Sequence, residues 1–334
     1  MKKTFIIAEA GVNHNGKISF AKKLIKIAKK CNADAVKFQL FNALDLATQN
    51  APKAKYQKKN EKNYSNQFYM LKKYQLNFRE LVILKNYCKK LNIEFLCSVF
   101  DINSLELLKK LKLKKIKIPS GEINNLPLLT KISELKIPTI LSTGMSSLDD
   151  IQYAINILTK KNLEKKLITI LHCNTDYPAP LKYANVASIT QLKNSFNIKV
   201  GYSDHTIGIE SSLAAVALGA SIIEKHFTIN RNLNGPDHKA SLNPKQLKDF
   251  IIKIRNLEKS LGDGKKKITK NEKKNIKIVR KSIVAIRNIK KGHYFNIKNV
   301  GLKRPAGGLS PKSWFKVLNK KSKYNFKPDQ KIKI

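Results

Sequence analysis

Polar side chains recur where short apolar segments of this sequence end, and their types can bind anions, hold a metal ion or move protons. Lysines with serine and threonine hydroxyls suit an anionic phosphate-and-carboxylate substrate, because they supply charge and neutral donors together. Two histidines, His205 and His226, follow neighbouring segments and suit a divalent metal with positions left open for water and substrate. The polar residues at these segment ends are Glu9, Lys37, Gln39, Ser98, Lys117, Ser120, Glu122, Ser142, Thr143, His172, Thr175, Tyr177, Ser203, Asp204, His205, Glu224, Lys225 and His226.

Each of these residues also has a purely structural interpretation. A single histidine on a strand is usually a satisfied structural residue, and a serine at a strand end usually caps the next helix. Glu9 could be a buried partner of Lys37 or Lys225, since buried charges are paired. His14 and His172 are interpreted as network residues rather than ligands. The joint pattern indicates a site, because a barrel interior tolerates so many polar groups only with a ligand or a dense network.

The elements that must position these side chains alternate between short apolar runs and amphipathic stretches. Eight such units over about 250 residues predict a (β/α)8 TIM barrel of class α/β rather than an open doubly wound sheet. Barrel enzymes build their sites at the carboxyl ends of the strands, where the polar residues fall. The predicted strands are 5–10, 35–41, 94–100, 115–119, 139–143, 168–173, 199–202 and 222–227. The predicted helices are 20–30, 78–91, 104–111, 127–135, 148–158, 186–194, 211–218 and 244–257.

Two segments depart from this alternation. Residues 42–76 form a polar insertion after the second predicted strand, and a loop this long beside a catalytic face is usually a lid or a substrate wall. Glycines and a lysine-rich run then mark a solvated linker. The sequence therefore predicts a barrel domain over 1–262, a linker over 263–281 and a small β-rich domain over 282–334.

Composition limits the classes of function. The 334 residues carry a formal net charge of +43, which invites a nucleic-acid interpretation. The cations are mostly lysines spread along the whole chain, and arginine, the residue favoured for reading bases, is scarce. We therefore expect no nucleic-acid partner.

The apolar run 5–8 is too short for a signal peptide, no segment approaches membrane-spanning length, and the four cysteines form no CxxC pair. These features predict a cytoplasmic protein with reduced, packed thiols and no membrane partner.

Ten short motifs follow one another in order along the chain. They are AEAGVNHNG (8–16), VKFQ (36–39), KIPSGE (117–122), LSTGM (141–145), LHC (171–173), YP (177–178), GYSDHT (201–206), EKHFT (224–228), GPDH (235–238) and KRP (303–305). Together they resemble the bacterial N-acetylneuraminate (sialic acid) synthase family over the entire chain. The resemblance implies a TIM barrel followed by an antifreeze-like (SAF) domain, in a domain-swapped homodimer where Arg304 reaches the site of the partner subunit.

The resemblance also implies an activity and a set of site residues. The enzyme would be a transferase that condenses phosphoenolpyruvate with N-acetylmannosamine, forms a C–C bond and releases phosphate by C–O cleavage, with Mn²⁺ or Mg²⁺ on His205 and His226. The implied phosphoenolpyruvate residues are Lys37, Ser98, Lys117, Ser120, Ser142, Thr175 and Ser203. The implied sugar residues are Gln39, Glu122, Tyr177, Asp237 and Arg304. The implied catalytic residues are Glu9, Lys117, Glu122 and His226, with Glu9 handling the proton of the attacking water.

Two alternatives remain open. An N,N'-diacetyllegionaminate synthase, acting on 2,4-diacetamido-2,4,6-trideoxymannose, would share the barrel motifs, because the two sugars differ in their C4 and C6 substituents. The pseudaminic branch is less favoured, since the opening motif 8–14 has the neuraminate-like form. A non-catalytic sugar-binding barrel would be expected to lack Glu9, Lys117, His205 or His226, and all four are present.

Overall fold

A computed structural model describes residues 3–334, and it divides the chain into two compact units between residues 263 and 264. Each unit has its own hydrophobic core. The four cysteines are free and buried, as predicted. None of the helices between residues 3 and 334 is both long enough and apolar enough to cross a lipid bilayer.

The first unit is a closed barrel of eight parallel strands. Strand pairing runs in sequence order, and β1 closes the barrel by pairing with β8, with Phe5 opposite Ile222 and Glu9 opposite His226. The strands are β1 (Phe5–Gly11), β2 (Ala35–Leu40), β3 (Glu94–Val99), β4 (Ile116–Ile118), β5 (Thr139–Ser142), β6 (Ile168–Cys173), β7 (Lys199–Asp204) and β8 (Ile222–His226). The predicted TIM barrel is confirmed, with strand ends that differ from the prediction by a few residues.

Each helix around the barrel buries one face, and several begin at a local capping signal. In α1, buried residues recur at Ala21, Leu24, Ile25 and Ala28, the spacing of one helix face. Capping boxes begin several helices, and each satisfies backbone N–H groups that have no partner inside the helix. The barrel helices that follow the strands are α1 (Ile18–Lys30), α5 (Phe78–Lys90), α6 (Ile102–Lys110), α7 (Leu126–Ser133), α8 (Leu148–Lys160), α9 (Ser188–Phe196), α10 (Glu210–Ala217) and α11 (Pro244–Leu261).

The insertion 42–76 contains three short helices that the sequence did not predict. They are α2 (Ala43–Leu46), α3 (Lys55–Asn60) and α4 (Gln67–Tyr74). A small apolar cluster of Val12, Phe41, Met70 and Tyr74 anchors the insertion to the barrel. Lys53 is buried and donates to the backbone carbonyls of Glu61 and Tyr64, which ties the middle of the insertion together.

The second unit is small and has a two-stranded antiparallel sheet. It contains α12 (Lys270–Val279), β9 (Ser282–Ala285), β10 (Val300–Lys303) and α13 (Trp314–Val317). Its core includes Ile283, Phe295 and Val300. The predicted linker 263–281 therefore contains a helix, which a Thr269–Glu272 capping box begins and whose side chains are not buried.

Candidate active site

A cavity of about 570 Å³ lies at the carboxyl ends of the barrel strands. It brings together side chains that are far apart in the sequence, because parallel strands end at one face of the barrel. The sequence-predicted residues that line it are Glu9, Lys37, Gln39, Ser98, Lys117, Ser120, Glu122, Ser142, Thr175, Tyr177, Ser203, His205, His226 and Asp237. Arg304 lies in the second unit, at the end of β10.

Two lysines and two carboxylates form a buried charged cluster at the base of the cavity. The Lys37 Nζ lies 3.0 Å from Glu9 Oε2 and donates to Ser98 Oγ at 2.8 Å. Glu224 lies between the two lysines, with its carboxylate oxygens 3.5 Å from Lys37 Nζ and 3.6 Å from Lys117 Nζ. All four charged side chains are nearly inaccessible to solvent. Buried lysines of this kind are tolerated because carboxylates pair with them.

Burial and mutual attraction set the protonation of this cluster. Burial raises the pKa of the Glu9 carboxyl, against the opposing effect of Lys37. Burial lowers the pKa of Lys117, and the charge of Glu224 partly restores it. Burial also disfavours the Glu224 anion, but Lys117 and Lys37 together hold the pKa of Glu224 below its usual range. Glu224 is therefore the ionised partner of the lysines, and Glu9 can carry a proton.

Glu224 was predicted as one of the polar strand-end residues but was assigned no role in binding or catalysis, although the sequence offered a signal for one. In a strand, residues two apart point to the same face, so His226 and Glu224 of β8 share the barrel interior while Lys225 points outward. Lys225 instead forms a 2.7 Å ion pair with Asp204 behind the site. Asp204 also accepts hydrogen bonds from Thr206 and Ser212. Of the two buried partners considered for Glu9 from the sequence, Lys37 and Lys225, the structure shows the pairing with Lys37.

Hydroxyl, thiol and glycine groups form one wall beside Lys117. The Ser120 Oγ accepts a 3.0 Å hydrogen bond from the Gly144 N–H and lies 3.2 Å from Cys173 Sγ. A Cβ on Gly144 would lie 2.8 Å from the Thr175 methyl, so this position requires glycine. The Ser142 Oγ is buried and has no hydrogen-bond partner within the described part of the chain. An unpartnered hydroxyl in a cavity that also contains two lysines suits a bound anion.

His205 directly follows β7 and His226 ends β8, and their ring centroids lie 5.5 Å apart in the cavity. His205 donates from Nδ1 to the carbonyl of Asn174, which leaves its Nε2 unprotonated, 3.5 Å from the Ser203 hydroxyl oxygen. The His226 Nδ1 is buried without a hydrogen-bond partner and lies 4.0 Å from Asp237 Oδ2. Burial lowers the pKa of both imidazoles, so both are neutral near pH 7. Neutral, buried imidazoles that each keep an unprotonated nitrogen fit a divalent transition metal.

The protein side chains around these histidines do not supply a full set of metal ligands. Among residues 3–334, no three or more His, Cys, Asp or Glu side chains gather as metal ligands. A metal held here would take two protein nitrogens and complete its coordination with water or substrate, which is the arrangement of a catalytic rather than a structural site.

A bulge in β1 brings the strand close to His226. The pairing of β1 with β2 shifts register between Glu9 and Gly11, and Gly11 has a positive φ of 50°. A Cβ at Gly11 would lie 3.1 Å from the His226 ring and 3.4 Å from Glu9 Oε1. Glycine is therefore required here both for its backbone conformation and for space.

The outer part of the cavity combines predicted residues with residues of the insertion. Gln39 donates to Glu9 Oε1 at 3.1 Å, and Asn125 donates to Glu122 Oε2 at 2.7 Å. The Tyr177 ring lies 4.1 Å from the His205 ring and 4.9 Å from that of Tyr56, measured between centroids. The insertion residues that line the cavity, missed in the sequence analysis, are Leu46, Ala54, Tyr56, Gln57, Gln67, Met70, Leu71 and Tyr74.

A barrel with this polar site and an appended small domain defines a class of synthase, and comparison with known proteins agrees. The chain belongs to the NeuB family, whose model matches residues 24–266, and a SAF domain matches residues 280–333. It is thus an enzyme of the nonulosonate synthase class, and the predicted family and fold are confirmed.

Particular relatives cover nearly the whole chain. The chain is 51% identical over 333 residues to the N,N'-diacetyllegionaminic acid synthase of Campylobacter jejuni, covering 100% of both chains. It is 41% identical to the protein of the same name from Legionella pneumophila, covering 96% of this chain and 91% of the relative. The crystal structure of the N-acetylneuraminic acid (sialic acid) synthetase of Leptospira borgpetersenii is similar with a TM-score of 0.72 and 35% identity, covering 82% of this chain and 90% of that one.

Proposed function

We propose that this chain is an N,N'-diacetyllegionaminic acid synthase that condenses phosphoenolpyruvate with 2,4-diacetamido-2,4,6-trideoxymannose. The single observation that carries the choice of sugar is the 51% identity to the Campylobacter jejuni enzyme of that name over the full length of both chains. The sialic acid synthetase of Leptospira borgpetersenii has 35% identity. These identities support the legionaminate alternative over the N-acetylneuraminate synthase that the sequence analysis put first.

Phosphoenolpyruvate fits the base of the cavity. Its phosphate and carboxylate repel each other and need cations close by, and Lys37 and Lys117 supply them from strands β2 and β4. Ser142, with its unpartnered hydroxyl, and Ser120 add neutral donors beside Lys117. The charge of Glu224 favours the cationic form of both lysines, which lie 3.5 and 3.6 Å from its carboxylate oxygens.

The reaction follows from the groups that surround these anions. The methylene carbon of phosphoenolpyruvate attacks the aldehyde carbon of the open-chain sugar, which forms the C–C bond and leaves the former enol carbon cationic. Water adds to that carbon, the tetrahedral intermediate loses phosphate by C–O cleavage, and a ketone forms. One proton of the water ends on the new sugar hydroxyl and the other on phosphate. Glu9, buried next to Lys37 and bonded to Gln39, moves the proton of the attacking water.

His205 and His226 would hold Mn²⁺ or Mg²⁺ through their unprotonated ring nitrogens. Such an ion, when bound, supplies Lewis-acid polarisation of the aldehyde oxygen. The Asn174 carbonyl fixes the His205 ring, and Gly11 leaves room for the His226 ring. We expect exhaustive EDTA treatment to abolish phosphate release, and added Mn²⁺ or Mg²⁺ to restore it. Full turnover by the metal-free protein would refute the proposed metal site.

The choice of sugar is tested by phosphate release with two acceptors in parallel. We expect kcat/KM to be higher for 2,4-diacetamido-2,4,6-trideoxymannose than for N-acetylmannosamine at saturating phosphoenolpyruvate. A preference for N-acetylmannosamine would show that the enzyme is an N-acetylneuraminate synthase instead. Turnover of neither sugar by metal-loaded protein would favour the non-catalytic barrel, which the intact cluster of lysines and carboxylates argues against.

A further inference from the structure

One face of helix α4 forms part of the cavity wall. Gln67, Met70, Leu71 and Tyr74 all line the cavity. They are spaced three and four residues apart, which places them on the same side of the helix. Lys72, between them in sequence, is exposed. The insertion therefore contributes a continuous surface to the site, separate from the strand ends.

This face has one free polar group next to apolar ones. The side-chain amide of Gln67 makes no hydrogen bond within residues 3–334, although the residue is half-buried against the cavity. The neighbouring Gln57 is different, since its amide accepts from the Ala54 N–H at 2.9 Å. Leu71 lies one turn after Gln67, and Met70 packs into the apolar cluster below it. An amide with an unused donor and acceptor thus lies beside a hydrocarbon surface.

The chemistry of the reaction fixes which part of the sugar meets this face. The aldehyde carbon C1 must lie next to the methylene carbon of phosphoenolpyruvate, which is at the lysine end of the cavity. C4 is three bonds farther along an open-chain sugar, so the substituent on C4 points away from Lys37 and Lys117. The walls beyond the charged cluster include residues of the insertion, together with Glu122, Tyr177 and Asp237.

We propose that Gln67 and Leu71 of α4 bind the C4 acetamido group of the sugar and so determine specificity. An acetamido group presents an N–H, a carbonyl and a methyl group. The Gln67 amide can accept from the first and donate to the second, and Leu71 supplies apolar contact for the third. A C4 hydroxyl would leave the apolar part of this surface uncovered. This inference rests on the proposed function, because it assumes a sugar with a nitrogen substituent at C4.

The test compares two acceptors that differ at C4 alone: 2,4-diacetamido-2,4,6-trideoxymannose and 2-acetamido-2,6-dideoxymannose. Gln67→Leu keeps a similar volume but removes the amide. We expect it to lower kcat/KM for the diacetamido sugar by about tenfold, the effect of one lost hydrogen bond. The 4-hydroxy sugar should change little, and the KM for phosphoenolpyruvate should stay the same. Leu71→Ala should also lower the ratio of kcat/KM for the diacetamido sugar to kcat/KM for the 4-hydroxy sugar, because the apolar contact with the acetamido methyl group is lost.

Lys72→Gln is the matched control, because it changes an exposed residue of the same helix and should leave both kcat/KM values unchanged. Unfolding midpoints of all variants show whether the insertion remains folded. If wild-type protein does not prefer the diacetamido sugar, the proposed function is wrong. If it does, but both Gln67→Leu and Leu71→Ala keep the wild-type ratio or reduce turnover of both sugars equally, the α4 subsite is wrong.

Discussion

At the scale of single residues, the site depends on charges that compensate one another before any substrate binds. Lys37 and Lys117 are buried with Glu9 and Glu224, so no cation in the cluster is left without a nearby carboxylate. An isolated buried ammonium would lose much of its charge, because burial favours the neutral amine. Burial lowers the pKa of Lys117, and the neighbouring Glu224 carboxylate opposes that effect and so favours the cationic form that binds an anion.

Lys117→Met tests this assignment. Methionine fills a similar volume without charge, so the variant should fold and lose one charge-assisted contact to the anion. We expect the KM for phosphoenolpyruvate to rise by roughly 10- to 150-fold, which corresponds to about 1.5–3 kcal/mol, while the KM of the sugar changes far less. Ser98→Ala should have a smaller effect, because it removes a neutral hydrogen bond. Steady-state kinetics with each substrate varied in turn provides the measurement.

The matched control is Lys115→Met, two residues earlier in the chain. Lys115 pairs with Glu94 at 2.6 Å, is partly exposed and does not line the cavity. Its loss should leave the KM for phosphoenolpyruvate unchanged. Equal effects of the two lysine variants, or a rise in KM confined to the sugar, would show that Lys117 does not bind the anion.

The positions of most site residues were predictable, because the sequence shows where strands end and which alternate side chains of a strand point to the same face. Polar residues after apolar runs indicated the site, and the structure places Lys37, Lys117 and His226 in one cavity. Glu224 was named as a polar strand-end residue, but its pairing with Lys37 and Lys117 was not predicted, because that pairing depends on barrel closure, which no local pattern encodes. The role of Arg304 stays a prediction.

At the scale of elements, two loops at the barrel mouth are held by buried, uncharged imidazoles. His238 bonds to Thr228 at 2.7 Å and to Asn15 at 2.9 Å, which joins the segment after β8 to the turn after β1. In that turn, His14 Nδ1 accepts from the Gly16 N–H. Burial lowers the pKa of His14 to about 4, so folding requires its neutral form.

His14→Asn should therefore reduce the pH dependence of stability. The unfolded state binds a proton at His14 below about pH 6.5, whereas the folded state does not until about pH 4. Protonation of His14 in the unfolded state should therefore lower the free energy of unfolding by about 2 kcal/mol as the pH falls from 7 to 5. Asparagine keeps the acceptor for Gly16 but does not titrate there. Urea unfolding at both pH values should show a smaller loss for the variant, and an equal loss would mean that His14 is charged in the folded protein.

Some elements could not have been predicted from local pattern. The helices of the insertion 42–76 are short, and short helices are stabilised by packing rather than by intrinsic propensity. Met70 and Tyr74 pack against Val12 and Phe41, contacts that exist only once the barrel has formed. The helix α12 has no buried side chains, so its sequence resembles that of a solvated linker.

At the scale of the whole molecule, the relation between subunits is the main prediction still to be tested. The family resemblance implies a domain-swapped homodimer in which Arg304 of one subunit acts at the barrel of the other. We expect inactive Arg304→Ala and Glu9→Ala chains to recover phosphate release when mixed, because each heterodimer would contain one site with both wild-type residues. Mixing two batches of the same variant is the control. No recovery after confirmed subunit exchange would exclude action of Arg304 across subunits.

The buried pair of Asp204 and Lys225 constrains how this sequence can diverge. Both side chains are about 1% exposed, and losing either partner would leave an unpaired buried charge at a cost of about 3–5 kcal/mol. That is a large part of the roughly 5–15 kcal/mol that keeps a typical protein folded. A single substitution at either position is therefore selected against, while an apolar replacement of both together can be tolerated. Across homologous sequences, positions 204 and 225 should covary, changing together or not at all.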